Sequence, residues 1–250
     1  MQLLHVGQRG LELGDALGEV LRGEGIELVL SANASAARRD GDDYVLELDD
    51  GQELKGERLL VATGRRPRVR GVGLETVGVE PDAHGVPVDA HLRAGERLWA
   101  IGDVNGLWPL THVGKYQGDV VAANILGDPR KANYEAVPRV TYTDPQAAAV
   151  GAGAGRFSAM VPVSDVAKTA TYTHAWDKQN GFLTLLSDGE CLTGAYALGP
   201  EAGEWLQQAT LAIRARVPLA VLRDTIQPFP TFSEIYVGAL KALVAEAVPA

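Results

Sequence analysis

The apolar pattern of this 250-residue chain changes character once, near residues 133–136, and that change limits the folds open to it. Downstream, strand-like runs at 169–173, 182–186 and 192–197 follow one another, with Asn180-Gly181 and Asp188-Gly189 between them. Asn-Gly and Asp-Gly pairs supply the positive φ angles of tight hairpin turns, so a meander is expected. Helical patterns follow at about 201–216, 218–225 and 232–247. Strands in sequence and then helices read as an α+β domain.

Upstream of the change, buried strands and helices are interspersed, the mark of an α/β region. Residues 3–6 and 26–30 read as short buried strands, and 15–22 has helical spacing (Leu17, Val20, Leu21) before Gly23 and Gly25. Asp40-Gly41 and Asp50-Gly51 bracket the strand formers Tyr44-Val45-Leu46-Glu47-Leu48, a hairpin signal. Leu59-Leu60-Val61-Ala62 reads as a buried strand running into Thr63-Gly64, and 98–101 as another. A helix is expected over 111–126, where Val113, Val120, Val121 and Ile125 lie mostly on one face and Gly127 with Pro129 closes it. The glycine-rich turn Gly151 to Gly155 lacks a strand–loop–helix setting, so it is assigned no phosphate role.

Composition excludes some partners. A net charge of −9 speaks against nucleic acid or an anionic membrane as the main partner. The basic cluster Arg65, Arg66, Arg68 and Arg70 reads as a solvated loop. Cys191 is the single cysteine, so no internal disulfide forms, and a cytoplasmic location is expected. No run reaches the roughly 18 apolar residues of a spanning helix, and residues 1–3 lack a signal-peptide pattern.

Chemistry points first to Gly102-Asp103, at the end of the 98–101 strand. A glycine there lets backbone approach a ligand closely, and an aspartate can accept hydrogen bonds from sugar-like hydroxyls. The helix opening at Leu110-Thr111-His112 directs its first N–H groups and positive dipole end toward the same crevice, which suits an anionic group. Alone, Gly-Asp also fits an ordinary strand, Asx turn and helix.

The longer run Leu98-Trp-Ala-Ile-Gly-Asp-Val-Asn-Gly-Leu-Trp-Pro-Leu-Thr-His-Val-Gly-Lys-Tyr-Gln-Gly-Asp119 resembles the second flavin-binding segment of the pyridine nucleotide-disulfide oxidoreductases. Leu60-Val-Ala-Thr-Gly-Arg-Arg-Pro67 resembles that family's crossover from the nicotinamide domain back to the flavin domain. Val137-Pro-Arg-Val-Thr-Tyr-Thr-Asp-Pro-Gln146 is similar to its entry into the dimerisation domain. The resemblance implies FAD and NAD(P)H as cofactors, a small-molecule electron acceptor, and a homodimer formed through 136–250. It implies a partial NAD(P)-binding domain over 1–66 and the C-terminal part of an FAD-binding domain over 67–135, both Rossmann-like, before a dimerisation domain over 136–250. Asp103 is then expected at the flavin ribityl chain, with Gly102 before it. Leu110, Thr111 and His112 would face the flavin ring, His112 by its backbone or its side chain, and Gly64 would lie beside the nicotinamide dinucleotide.

The family's two Gly-x-Gly-x-x-Gly loops and its redox Cys-x-x-x-x-Cys are not in this sequence. The resemblance therefore implies a C-terminal portion that begins at the second strand of the nicotinamide domain, inactive and poorly soluble alone. Where relatives choose between NAD and NADP, Val6 to Arg9 offers no acid and a single arginine, so the choice stays open. Relatives carry His-Pro-Thr-x-Ser-Glu as an acid-base segment working across the dimer, whereas this chain reads Phe229-Pro-Thr-Phe-Ser-Glu234. Phenylalanine cannot transfer a proton. Phe229 is expected to shape an apolar acceptor pocket or simply to pack, and Glu234 to form a capping box with Thr231 in preference to a catalytic role. The expected function is thus a flavin oxidoreductase that passes electrons from NAD(P)H to a quinone-like acceptor. The alternatives are a disulfide reductase akin to dihydrolipoamide dehydrogenase or mercuric reductase, and a non-catalytic dimerisation module.

Overall fold

The computed structural model of the protein describes residues 11–166 and 181–247. The strands expected at 3–6 and 169–173, the stretch Val6 to Arg9 and the turn residue Asn180 lie outside them. The chain divides into two compact units, one holding Met1–Thr63 and Pro138–Ala250, the other Gly64–Val137. The first and last of the three expected segments thus share one unit.

The elements run in chain order as follows. Helix α1 (Leu11–Gly23) precedes strands β1 (Ala34–Asp40), β2 (Asp43–Leu48) and β3 (Glu53–Gly56). Next come β4 (Arg93–Gly95), β5 (Leu98–Trp99) and α2 (Thr111–Ile125). Five strands follow: β6 (Arg139–Thr141), β7 (Gln146–Gly151), β8 (Phe157–Pro162), β9 (Phe182–Ser187) and β10 (Leu192–Gly199). Helices α3 (Ala202–Trp205), α4 (Gln207–Arg214), α5 (Leu219–Arg223) and α6 (Ile235–Ala247) end the described chain.

In the first unit, β6 to β10 form one antiparallel sheet in the order β6-β7-β10-β9-β8. Its central strands β7, β10 and β9 are largely buried on both faces, which alternation along each strand makes possible. One set of side chains, including Leu186, Tyr196 and Leu198, packs against Leu13, Leu17 and Val20 of α1. The Tyr196 hydroxyl donates to Glu12 Oε2 at 2.7 Å, fixing the start of that helix to the sheet. The alternate set, Leu183, Leu185, Ala195 and Ala197, is fully buried too, and α4 and α6 are the longer helices packed on these strands. The expected helix at 201–216 is interrupted at Leu206, whose backbone stays helical (φ −68, ψ −16). Strand β8 was not legible in the sequence beyond its preceding glycine-rich turn.

The hairpin marked by the two Asp-Gly pairs is present as the antiparallel sheet β1-β2-β3. The strands expected at 26–30 and 59–62 are not: both segments are irregular, with Ile26 46%, Leu30 52%, Leu60 89% and Val61 71% exposed. A buried parallel strand exists only with hydrogen-bonded neighbours and covered faces, and no described segment pairs with either run.

The second unit is less regular. The strand expected at 98–101 shrinks to Leu98–Trp99, paired antiparallel with Arg93–Gly95. Ala100 just beyond it is buried with Val79 and Val86 in a small cluster, while Ile101 is exposed. Helix α2 buries Val113 and Val120 as its spacing predicts and leaves Ile125 in solvent.

Candidate functional site

The site grows from the exit of β5. Gly102 takes φ 75, a left-handed conformation that a side chain disfavours, and nothing lies within 4 Å of where its Cβ would be. The chain then makes a single 3₁₀ turn, Gly102–Asn105, and the Asp103 carboxylate emerges half-exposed. Arg65 Nη1 donates to Asp103 Oδ2 at 3.0 Å. Helix α2 begins at Thr111 after Leu110, an extended N-cap residue without a side-chain cap bond. Thr111 and His112 are exposed on its first turn, and Leu110 is half-buried. An open cavity of about 420 Å³ lies beside Asp103, lined by Arg65, Arg66, Arg68, His84 and Pro109 among others. Three arginines among its lining residues make the cavity favourable to anions. Gly64, exposed at φ 123, directly precedes Arg65.

A buried polar cluster holds this turn in place. Gln117, fully buried on α2, accepts from the Gly102 N–H at 2.6 Å and from Asn105 Nδ2 at 3.0 Å. Its Nε2 donates to the Tyr134 hydroxyl at 2.9 Å. Burial holds that hydroxyl above the usual phenol range, so it stays neutral. Sequence reasoning missed Gln117, Asn105 and Tyr134. The available signal was a polar residue at 117 between Val113 and Val120, on the stripe read as apolar.

Phe229 and Glu234 belong to the other unit. Phe229 is 65% exposed. The expected capping box does not form: the Thr231 hydroxyl donates to Pro228 O at 2.7 Å, and no side chain caps the short 3₁₀ turn Phe232–Glu234. Because the turn there is 3₁₀ and its own carbonyl at Thr231 takes the Glu234 N–H, the threonine is free to bond backward. Glu234 Oε2 is buried with no hydrogen-bond partner among the described residues. Cys191 is buried, and its thiol donates to Arg216 O at 3.3 Å, a packed thiol. Among the described residues no cluster could hold a metal ion, and no helix is long and apolar enough to cross a membrane.

Two family patterns match in tandem: "pyridine nucleotide-disulphide oxidoreductase" over residues 2–118, and the dimerisation domain of the same family over 137–240. The chain belongs to the pyridine nucleotide-disulphide oxidoreductase family. It carries part of the family's FAD/NAD-binding region followed by its dimerisation domain. It is 33% identical over 234 residues to a dihydrolipoyl dehydrogenase of Chlamydia trachomatis, covering 90% of this chain and 50% of that protein. It is 32% identical over 235 residues to a mercuric reductase of Acidithiobacillus ferrooxidans, covering 89% and 42%. The fold matches the crystal structure of LpdA from Mycobacterium tuberculosis with a TM-score of 0.83 at 24% identity, covering 92% of this chain and 52% of that one. It also matches the HOCl-induced flavoprotein disulfide reductase RclA of Escherichia coli, with a TM-score of 0.81 at 21% identity, covering 92% and 55%. The chain spans about half the length of the curated relatives it matches. The names of these relatives lend no support to a quinone acceptor.

Proposed function

We propose that the chain is the C-terminal portion of an FAD-dependent NAD(P)H oxidoreductase that works as a homodimer through its dimerisation domain. Asp103, on its pinned turn beside the start of α2, carries the reading: a half-exposed carboxylate suits the hydroxyls of a ribityl chain. The residues present fit the cofactor. Gly102 leaves bare backbone that would let a flavin approach closely, and the arginine-lined cavity beside Asp103 favours phosphate-bearing ligands. The positive end of α2 favours negative charge near Thr111 and His112. When bound, the flavin supplies the hydride-accepting and electron-donating chemistry between NAD(P)H and the acceptor.

The finer question is the acceptor. Phe229 has no proton to give, and Glu234 keeps a buried carboxylate oxygen with no described group to orient. These two residues favour an acceptor that does not require a proton from position 229, such as a quinone. The named relatives favour the second reading, a disulfide or metal reductase whose proton comes from elsewhere. An acceptor screen on the protein isolated at its natural length separates them. Quinone-dependent NAD(P)H oxidation without dihydrolipoamide turnover supports the first reading. Brisk dihydrolipoamide oxidation without quinone turnover sinks it, and colourless protein that takes up no flavin sinks both.

A further inference from the structure

We infer that Gln117 is the positioning residue of the Gly102–Asp103 turn; its functional weight rests on the reading that Asp103 meets a flavin. One oxygen, Gln117 Oε1, accepts from the N–H of Gly102 at 2.6 Å and from Asn105 Nδ2 at 3.0 Å. These donors stand at the two ends of the turn Gly102–Asn105, so a single acceptor fixes both. Asn105 is buried as well; it donates to Ala100 O at 3.0 Å and accepts from Leu107 N at 3.1 Å, tying the turn to the end of β5 and to the chain beyond. The helix and the turn meet almost backbone to backbone: a Cβ on Gly114 would stand 3.3 Å from Gly102 Cα. Among the described residues the Asp103 carboxylate is held by Arg65, whose side chain is 74% exposed. The direction of its carboxylate therefore follows from the turn, and the turn from Gln117.

The choice of side chain at 117 is restrictive. Leucine would leave the part-buried Gly102 N–H without its acceptor and Asn105 Nδ2 with Ala100 O alone. Glutamate keeps the acceptor, and the Tyr134 hydroxyl, which now accepts from Nε2 at 2.9 Å, can rotate to donate instead. A general packing role would make no such distinction between leucine and glutamate.

The test uses the protein at its natural length, labelled for magnetic resonance. In the wild type, a scalar coupling across the hydrogen bond should link the Gly102 amide nitrogen to the Gln117 side-chain carbonyl carbon. Gln117→Leu should speed hydrogen exchange at the Gly102 amide roughly 10- to 100-fold, and Gln117→Glu should restore it. Val120→Ala, on the same helix face, is the packing control and should not single out Gly102. FAD should bind Gln117→Leu about tenfold more weakly than the wild type, with Gln117→Glu again restoring it. No coupling in the wild type overturns the assignment even if Gln117→Leu cannot be folded. Unchanged exchange in Gln117→Leu, or an equal change in Val120→Ala, also overturns it. If exchange at Gly102 responds as stated but neither Gln117→Leu nor Asp103→Asn alters FAD binding, the positioning role stands and the flavin reading falls.

Discussion

The sheet of β6 to β10 and the region around Asp103 are held together by different means. The sheet is wide, its central strands are largely buried, and burial of alternating residues on both their faces supplies the driving force. The unit of Gly64–Val137 has two short strands, a cluster built on Val79, Val86 and Ala100, and close backbone approaches secured by polar bonds. A scaffold of the first kind tolerates change at its surface. A site of the second kind depends on individual hydrogen bonds and glycines, which suits a position where backbone must be exposed to a ligand.

Perturbing each region in turn sharpens the contrast. The largest effect is expected from Leu185→Ala in β9, fully buried, at about 2–5 kcal/mol in urea unfolding. A loss below 1 kcal/mol would mean that the sheet is not the main source of stability in its unit. Next comes Gly106→Ala, where φ is 68 and the new Cβ would collide with His84 O. That change should cost on the order of 2 kcal/mol and appear as faster amide exchange near Gly85 and Val86. Near-neutral behaviour would show that the close approach of 84–85 to 104–106 is not a constraint.

Acid should weaken both units by the same route. Backbone N–H groups, that of Arg93 first at Asp89 and that of Cys191 first at Asp188, hold these carboxylates below the ordinary value of 3.8. Each folded-state value is depressed, so the contribution is complete above 3.8 and is lost as pH falls through the depressed value. Asp89→Asn and Asp188→Asn should each flatten the acid limb of stability against pH, and an unchanged limb would contradict this. The smallest effect is expected at Thr231: it has no cap bond to lose and its bond to Pro228 O is exposed, so Thr231→Ala should cost under about 0.5 kcal/mol in thermal melting. A loss of about 1 kcal/mol or more would reinstate the capping box.

The sequence made the helix at α2, the Asp-Gly hairpin, strands β9 and β10 and the family legible, because each rests on local spacing or on a motif. The strands at 26–30 and 59–62 were misread, because an apolar run becomes a strand only when another strand pairs with it. Gln117 was hidden for a different reason. Its three partners, Gly102, Asn105 and Tyr134, are 12 to 17 residues away, and no local pattern reports a buried amide that bridges loops. The spacing of Thr231 and Glu234 predicts a capping box, and the backward bond of Thr231 to Pro228 takes that role away.

The most direct test of the central claim is a residue-resolved titration of the protein at its natural length with FAD, which detects even weak binding. The account predicts shifts concentrated at Gly102, Asp103, Thr111 and His112, with Gly64 and Arg65 following, and their loss in Asp103→Asn. Shifts confined to residues 138–247, or none at millimolar FAD, would contradict it.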